Sequence, residues 1–220
     1  MKLESDGILI SIKPFDEKNA IAHIFSREHG VLCGMLRGAL TAKTNRPLVG
    51  QVGNVFWNAR LDSALGVFHW ESEKNLSAPL LTDAARLSLM NSAFDLIGTM
   101  LPEREAYIKL YDDTLHLLYA LADAPCPTDE YLNWEIGLLR ELGYALDLSR
   151  CSGCGRIDDL IYLSPKTGRA VCESCGAPYA TKLYRLPISL NTTRFFLEKI
   201  CDDMGISLPQ FRVMIAHKKI

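Results

Sequence analysis

The 220-residue sequence has no apolar run long enough to cross a membrane. Charged residues interrupt every apolar stretch before it reaches the roughly eighteen residues that a spanning helix needs. The first ten residues, MKLESDGILI, carry acidic side chains where a secretory signal would need a basic region followed by a longer apolar core. These absences predict a cytoplasmic protein with no membrane partner.

The short motifs that identify common enzyme classes are also missing. There is no GxxxxGK[ST] phosphate loop, no HExxH zinc-protease motif and no GxSxG nucleophile turn. The five histidines are scattered, and none is paired in the sequence with a cysteine in the manner of a nucleophile and its base. We therefore expect a protein that is not an enzyme, and ATP hydrolysis in particular has no motif to support it.

Acidic residues are unevenly distributed along a chain whose net charge is −2. Residues 1–80 contain nine basic and eight acidic residues, residues 81–149 contain four basic and twelve acidic residues, and residues 150–220 contain eleven basic and six acidic residues. An acidic middle between two positive ends indicates that different faces bind different partners.

Four of the seven cysteines form two C-x2-C pairs that are separated by seventeen residues. Two such pairs can surround one metal ion with four thiolates, which is the usual arrangement of a structural zinc site. Two apolar segments, 161–163 and 169–171, flank a turn between the pairs and predict a zinc ribbon. Two disulfides or four unrelated thiols are the alternatives. The expected cofactor is one structural Zn²⁺ held by Cys151, Cys154, Cys172 and Cys175.

The three remaining cysteines are Cys33, Cys126 and Cys201, each next to apolar residues. We expect them to be reduced, buried thiols, as is usual in a reducing cytosol. A catalytic cysteine is the alternative, but no obvious base lies near any of the three in the sequence.

Residues 1–78 have the pattern of a small β-barrel. Short segments rich in β-branched and aromatic residues alternate with turns, and glycines occur inside several of the segments. About five strands in this length favour a closed barrel, for which an OB-like and an SH3-like topology both remain open.

Helical periodicity replaces the strand pattern from residue 79 onward. The fold class is therefore α+β and multidomain, with a barrel at 1–78 and an all-helical body at 79–220. The zinc ribbon is an insertion in this body at about 150–180. Four aromatic residues of the helices could stack on bases, but their helical spacing favours a core position. They are Tyr107, Tyr111, Tyr131 and Trp134.

One stretch of the predicted barrel, from His29 to Leu61, contains no acidic residue. Cations on a polar loop, with an aromatic side chain on a neighbouring strand, are typical of proteins that track a nucleic-acid backbone and stack its bases. Ordinary solvated surface is the alternative explanation. Because Phe56 and Trp57 are adjacent in a strand, one of them should be core and the other exposed. The candidate DNA-binding residues are Arg37, Lys43, Arg46, Arg60 and Trp57.

Several segments together resemble the bacterial RecO family over nearly the full length. The resemblance rests on their order along the chain and on the four-cysteine ribbon that follows them. The segments are Gly7-Ile-Leu-Ile, Phe25-Ser-Arg-Glu-His-Gly30, Val31-Leu-Cys-Gly-Met-Leu-Arg37-Gly38 and Glu135-Ile-Gly-Leu-Leu-Arg-Glu-Leu-Gly143.

The resemblance implies an OB-type barrel and a recombination mediator that binds single- and double-stranded DNA and anneals complementary strands. It also implies RecR as a partner in recombinase loading, the C-terminal tail of single-stranded-DNA-binding protein as a second partner, and association with the nucleoid. Arg140, Arg150 and the basic C-terminal region are candidates for the acidic tail. The loop around Lys43 is less basic than is usual in the family. An adaptor that binds only proteins through its barrel and ribbon is the alternative function.

Overall fold

The computed structural model describes residues 1–42, 46–59 and 65–217, and it divides the chain into two compact units. The first unit contains Met1–Tyr131 together with Pro209–Ile215. The second contains Leu132–Leu208. Two of the candidate DNA-binding residues, Lys43 and Arg60, lie outside the described residues.

Five strands of the first unit form a closed barrel in the order β1-β2-β3-β5-β4. All neighbouring pairs are antiparallel except β3 and β5, which run parallel. This order is that of an OB fold and confirms the expected OB-like barrel. The strands are β1 (Lys2–Pro14), β2 (Ala20–Ser26), β3 (Gly30–Leu36), β4 (Gln51–Asn58) and β5 (Gly66–Asn75).

The strands alternate between the barrel interior and its outer surface. In β2 the side chains of Ala22 and Ile24 are fully buried, whereas His23 between them is partly exposed. The same alternation in the other strands supplies one apolar cluster that fills the barrel. Its members include Leu9, Ile24, Leu32, Leu36, Val55, Trp57 and Phe68.

Two long helices lie wholly within the same compact unit as the barrel. They are α1 (Ala84–Met100) and α2 (Ile108–Asp123). The Cδ1 atom of Ile10 in β1 lies 3.8 Å from the position that a Cβ would take on Gly98 of α1. The rings of Phe25 and Tyr111 are 5.6 Å apart between centroids, so α2 also packs on the barrel.

The expected boundary between residues 78 and 79 therefore marks the change from strands to helices but differs from the boundary between compact units. The outer face of the barrel presents apolar side chains such as Ile10 and Phe25, and α1 and α2 cover them. Periodicity identifies the helices but does not indicate which apolar surface they cover.

The second unit contains the ribbon and a long helix. The ribbon sheet has the order β7-β6-β8, with β6 (Leu160–Leu163), β7 (Ala170–Cys172) and β8 (Tyr184–Arg185). A single helical turn, α4 (Glu173–Gly176), follows β7, and α5 (Leu190–Met204) begins at the N-cap Ser189. Two helices remain, α3 (Pro127–Glu141) and α6 (Gln210–His217).

The aromatic residues of the helices take the core positions that their spacing predicted. Tyr111, Tyr131 and Trp134 are all buried, and Tyr107 is half-buried. Among the described residues, no helix combines the length and the apolar character that a membrane crossing requires.

The turn before β3 generates a test of how the barrel is joined to the segment after α1. Gly30 has a φ of +65°, and a Cβ there would overlap with the backbone carbonyl of Glu105. We expect Gly30→Ala to lower the free energy of unfolding by about 3 kcal/mol or more. The substitution strains the backbone of residue 30, and its Cβ clashes with backbone atoms, which cannot move aside by a side-chain rotation. Chemical denaturation measures the change.

Gly38→Ala is the matched control for this substitution. Gly38 has a φ of +69°, but the nearest atom to its added Cβ is Oγ1 of Thr41 at 3.9 Å. It should lose only the strain of a left-handed residue, about 1–2 kcal/mol. Equal losses in the two variants would show that the backbone of Glu105 does not constrain Gly30.

Candidate metal centre and nucleic-acid interface

The ribbon brings the two cysteine pairs together through backbone hydrogen bonds. The turn between β6 and β7 closes as the Ser164 amide donates to the Arg169 carbonyl at 2.9 Å. The Ser152 amide donates to the Ala170 carbonyl at 2.9 Å, which ties the first pair to β7. The second pair begins at the end of β7, at Cys172. The predicted turn with an apolar arm on each side is therefore confirmed.

The four sulfur atoms fit a tetrahedral metal ion. All four Sγ atoms lie within 4.8 Å of one another. The Sγ atoms of Cys154 and Cys172 are 3.7 Å apart. A tetrahedral zinc site with Zn–S bonds of about 2.3 Å would separate its sulfur atoms by about 3.8 Å. The cluster could therefore hold one metal ion, with all four ligands from the chain.

The hydrogen bonds of the cluster favour thiolate at one cysteine and thiol at another. The backbone amide of Cys172 lowers the pKa of Cys151 to about 6, with help from the amides of Cys154 and Gly153. Hydrogen bonds with the sulfurs of Cys172 and Cys154 raise the pKa of Cys175 to about 12. Four close sulfurs cannot all ionise alone, because like charges repel at this range. A bound cation removes that conflict.

The three cysteines outside the cluster differ in burial. Cys201 is buried, as expected, but Cys33 is only half-buried and Cys126 is exposed. Cys126 stands between Pro125 and Pro127 in the short connection from α2 to α3, and such connections usually run over the protein surface. The expectation of a buried thiol was therefore wrong for Cys126.

A groove of about 890 Å³ lies on the barrel, and its lining includes both surface and core side chains. It is lined by β1, by the end of β4, by the start of β5 and by Arg37 just after β3. Two cations, Lys2 and Arg37, line it, and Glu4 is the one acidic residue lining it in the described part of the chain. The groove combines positive charge with aromatic surface. Its aromatic and imidazole residues are Phe56, Trp57, Phe68 and His69.

The adjacent residues Phe56 and Trp57 face opposite sides of β4. Trp57 is only 3 % exposed, and its indole N–H donates to the carbonyl of Cys33 at 2.9 Å. Phe56 is partly exposed, and its ring centroid lies 5.9 Å from that of His69 on β5. The structure corrects the choice of Trp57 as a stacking residue, because its ring fills the barrel core. We predict instead that the partly exposed ring of Phe56 stacks on a base.

The remaining candidate cations occupy different places. Arg37 is exposed and lines the groove. Arg46 is exposed on the segment before β4 but does not line the groove. Arg140 and Arg150, the candidates for an acidic peptide, are exposed residues of the second unit. Nothing in the sequence singled out Lys2 as a candidate DNA-binding residue. Its pairing with Asn58 across β1 and β4 brings it to the groove.

Comparison with known proteins identifies the family. The family model described as "Recombination protein O N terminal" matches residues 1–71, and the model described as "Recombination protein O C terminal" matches residues 81–210. The chain belongs to the RecO family. The resemblance inferred from the sequence is thereby confirmed, and with it a place among DNA repair and recombination proteins.

Curated RecO relatives are similar over most of their length. The DNA repair protein RecO of Dinoroseobacter shibae is 38% identical over 216 residues, which cover 91% of this chain and 90% of the relative. That of Roseobacter denitrificans is 38% identical over 223 residues, covering 93% and 92%. That of Brucella abortus is 39% identical over 208 residues, covering 92% and 81%. The similarity therefore includes both the barrel and the ribbon.

The cysteine cluster can be tested with cobalt(II), which reports tetrahedral thiolate ligation by its absorption. When cobalt(II) is added to the reduced, metal-free protein, we expect intense thiolate-to-cobalt charge-transfer bands, because the four Sγ atoms are close enough to bind one ion. Cys154→Ser should weaken these bands and the affinity strongly. Cys154 is exposed, so the substitution leaves the buried packing of the unit in place.

Cys126→Ser is the control for the loss of an exposed thiol outside the cluster. Its spectrum should match that of the unsubstituted protein. A Cys154→Ser spectrum that is also unchanged would mean that the four cysteines do not share one ion.

Proposed function

We propose that this RecO-family protein is a recombination mediator that binds single- and double-stranded DNA and anneals complementary strands. With RecR, it would help to load recombinase onto strands coated by single-stranded-DNA-binding protein. The groove on the barrel is the observation that carries this proposal. Binding to chromosomal DNA would keep the protein at the nucleoid, in the cytoplasm.

The groove offers the two kinds of contact that single-stranded nucleic acid uses. Lys2 and Arg37 supply positive charge for phosphates, and the partly exposed ring of Phe56 supplies a face on which a base can stack. Base stacking on an aromatic side chain contributes roughly 1–3 kcal/mol per base and tolerates any sequence. These contacts support binding that depends little on sequence, which suits a protein that must act at any break.

Annealing would follow from charge neutralisation. Cations held near two phosphate backbones lower the repulsion between the strands, so that complementary bases meet more often. The positive charge of residues 150–220 supports a second binding surface besides the groove. The process would need no chemical energy, because duplex formation is downhill.

The metal in the ribbon would be zinc, and its role structural. Four thiolate ligands suit zinc, and a shell complete in protein ligands leaves no position for water or substrate. The ion would fix the ribbon by tying Cys151 and Cys154 to the end of β7.

The protein partners would be recognised by charge. The C-terminal tail of single-stranded-DNA-binding protein is acidic, and Arg140 and Arg150 are exposed cations able to bind carboxylates. Charge complementarity of this kind raises association rates and gives specificity, and it weakens as salt rises.

The groove proposal predicts how DNA affinity responds to salt. Each phosphate contact to a single strand contributes a slope of about −0.7 to the plot of log affinity against log salt. We expect Arg37→Ala to make that slope shallower by about 0.7 units. Fluorescence anisotropy of labelled single-stranded DNA across a salt series measures it. Phe56→Ala should instead weaken binding at every salt concentration and leave the slope unchanged, because stacking releases no counterions.

Two substitutions in the same unit serve as matched controls. Lys109→Ala removes a cation that pairs with Asp113 on α2, away from the groove. Phe15→Ala removes a phenylalanine that is 60% exposed and does not line the groove. Both should bind DNA as the unsubstituted protein does. If Arg37→Ala behaves like Lys109→Ala, the DNA-binding surface lies elsewhere.

The annealing proposal predicts strand pairing that is independent of ATP. We expect the protein to accelerate annealing of complementary strands equally with and without nucleotide, and to do so less as salt screens its cations. A fluorescence-quenching assay with purified protein follows the rate. A rate equal to that of the protein-free control at low salt would favour the adaptor that acts only through protein partners.

A further inference from the structure

A second group of metal-ligand side chains lies on the barrel, in the other compact unit from the ribbon. His23 of β2 and Cys33 of β3 are directly opposite each other in the antiparallel register. Both point outward, because their neighbours Ile24 and Leu32 fill the barrel interior. Directly opposed side chains on one face have Cβ atoms only about 5 Å apart.

Glu103 approaches this pair from the segment after α1. That segment runs beside β3: Val31 and Glu103 form a parallel bridge, and the Arg104 amide donates to the Val31 carbonyl at 3.0 Å. The missing Cβ of Gly30 allows the backbone of Glu105 to lie close by. The backbone therefore holds the carboxylate of Glu103 next to the outer face of β3.

The three ligand atoms are close enough to share one ion. The ring nitrogen of His23, the Sγ of Cys33 and a carboxylate oxygen of Glu103 all lie within 4.8 Å of one another. A tetrahedral zinc ion with Zn–S of about 2.3 Å and Zn–N and Zn–O of about 2.0 Å would separate such atoms by about 3.3–3.6 Å. Glu103 is exposed, so its side chain is free to rotate and close the remaining gap.

We propose that His23, Cys33 and Glu103 form a second transition-metal site, specific for Zn²⁺ and similar ions, with one coordination position left open. Imidazole, thiolate and carboxylate are the three side-chain donors that proteins use for zinc. A thiolate and an imidazole disfavour Mg²⁺ and Ca²⁺, which prefer oxygen ligands. Three protein ligands leave the fourth position to water or to an incoming ligand atom, unlike the four-cysteine ribbon.

The geometry fits a metal site better than a cysteine nucleophile with a histidine base and a glutamate partner. In such a triad the imidazole stands between the thiol and the carboxylate, which keeps those two groups apart. Here the carboxylate of Glu103 lies within 4.8 Å of the Sγ of Cys33 as well as of the His23 ring nitrogen. Burial, and then the charge of Glu103, raise the pKa of Cys33, whereas a nucleophile needs a lowered one.

The proposal predicts a metal count and a change in thiol reactivity. In equilibrium dialysis against buffered zinc, the reduced protein should bind two ions per chain and Glu103→Ala one. Zinc should also protect Cys33 from alkylation, measured by mass spectrometry of the labelled peptide. At free zinc about ten times the dissociation constant, roughly a tenth of the site is empty, so alkylation should slow about tenfold. Magnesium should give no protection.

Glu105→Ala is the matched control, because it removes an exposed carboxylate two residues away that is not part of the trio. It should bind two ions and keep the protection of Cys33. Cys154→Ser should lose the ribbon ion but keep that protection, which separates the two sites. Alkylation of Cys33 that is equally fast with and without zinc in the unsubstituted protein would overturn the proposal.

Discussion

Closure of the five-stranded barrel is the constraint on which the other features of the first unit depend. The closing contact is the parallel pairing of β3 with β5, which begins where Gly34 lies opposite Gly66. The indole of Trp57 packs over Gly66, where any Cβ would overlap with the ring. Its N–H donates to the carbonyl of Cys33 on β3. One buried side chain therefore joins β4, β5 and β3 at the point where the barrel closes.

This closure also determines which residues face outward. Because side chains alternate along a strand, fixing Trp57 in the core places Phe56 on the surface, beside His69 of the neighbouring strand. The register of β2 with β3 places His23 and Cys33 together on the outer face. The groove and the candidate metal trio thus both depend on strand pairing. The register of β4 with β5 brings Phe56 beside His69, and that of β2 with β3 brings His23 beside Cys33.

Features that depend on local spacing could be predicted from the sequence. The four cysteines were found from their spacing, because two short turns and one hairpin are enough to bring them together. Strand alternation gave the barrel, and helical periodicity gave the core positions of Tyr111, Tyr131 and Trp134. The sequence left open whether the barrel has an OB-like or an SH3-like topology. The parallel pairing of β3 with β5 is visible only in the folded chain.

Features that depend on pairing between distant segments could not be predicted. Phe56 and Trp57 have similar apolar character, so nothing local decides which one enters the core; the position of Gly66 on the next strand does. Glu103 looks like an ordinary surface acid in the sequence, and only the bridge to Val31 brings it to Cys33. Lys2 was missed because its role depends on the pairing of β1 with β4. In each case the deciding partner lies on another strand or segment, nine residues away for Trp57 and more than fifty for Glu103 and Lys2.

The two candidate metal sites differ in how binding is coupled to folding. In the ribbon, the metal would close the loop between Cys154 and Cys172. The ribbon strands are short, and four close sulfurs repel one another when ionised, so the ligands are not held together without the ion. Its binding energy is therefore largely folding energy. On the barrel, the pairing of β2 with β3 already holds His23 and Cys33 in place, so the barrel would not need an ion there to fold. The ion would instead change the charge and the reactivity of the Cys33 thiol. The barrel site has one thiolate ligand and the ribbon site has four, so the ion on the barrel would exchange more readily.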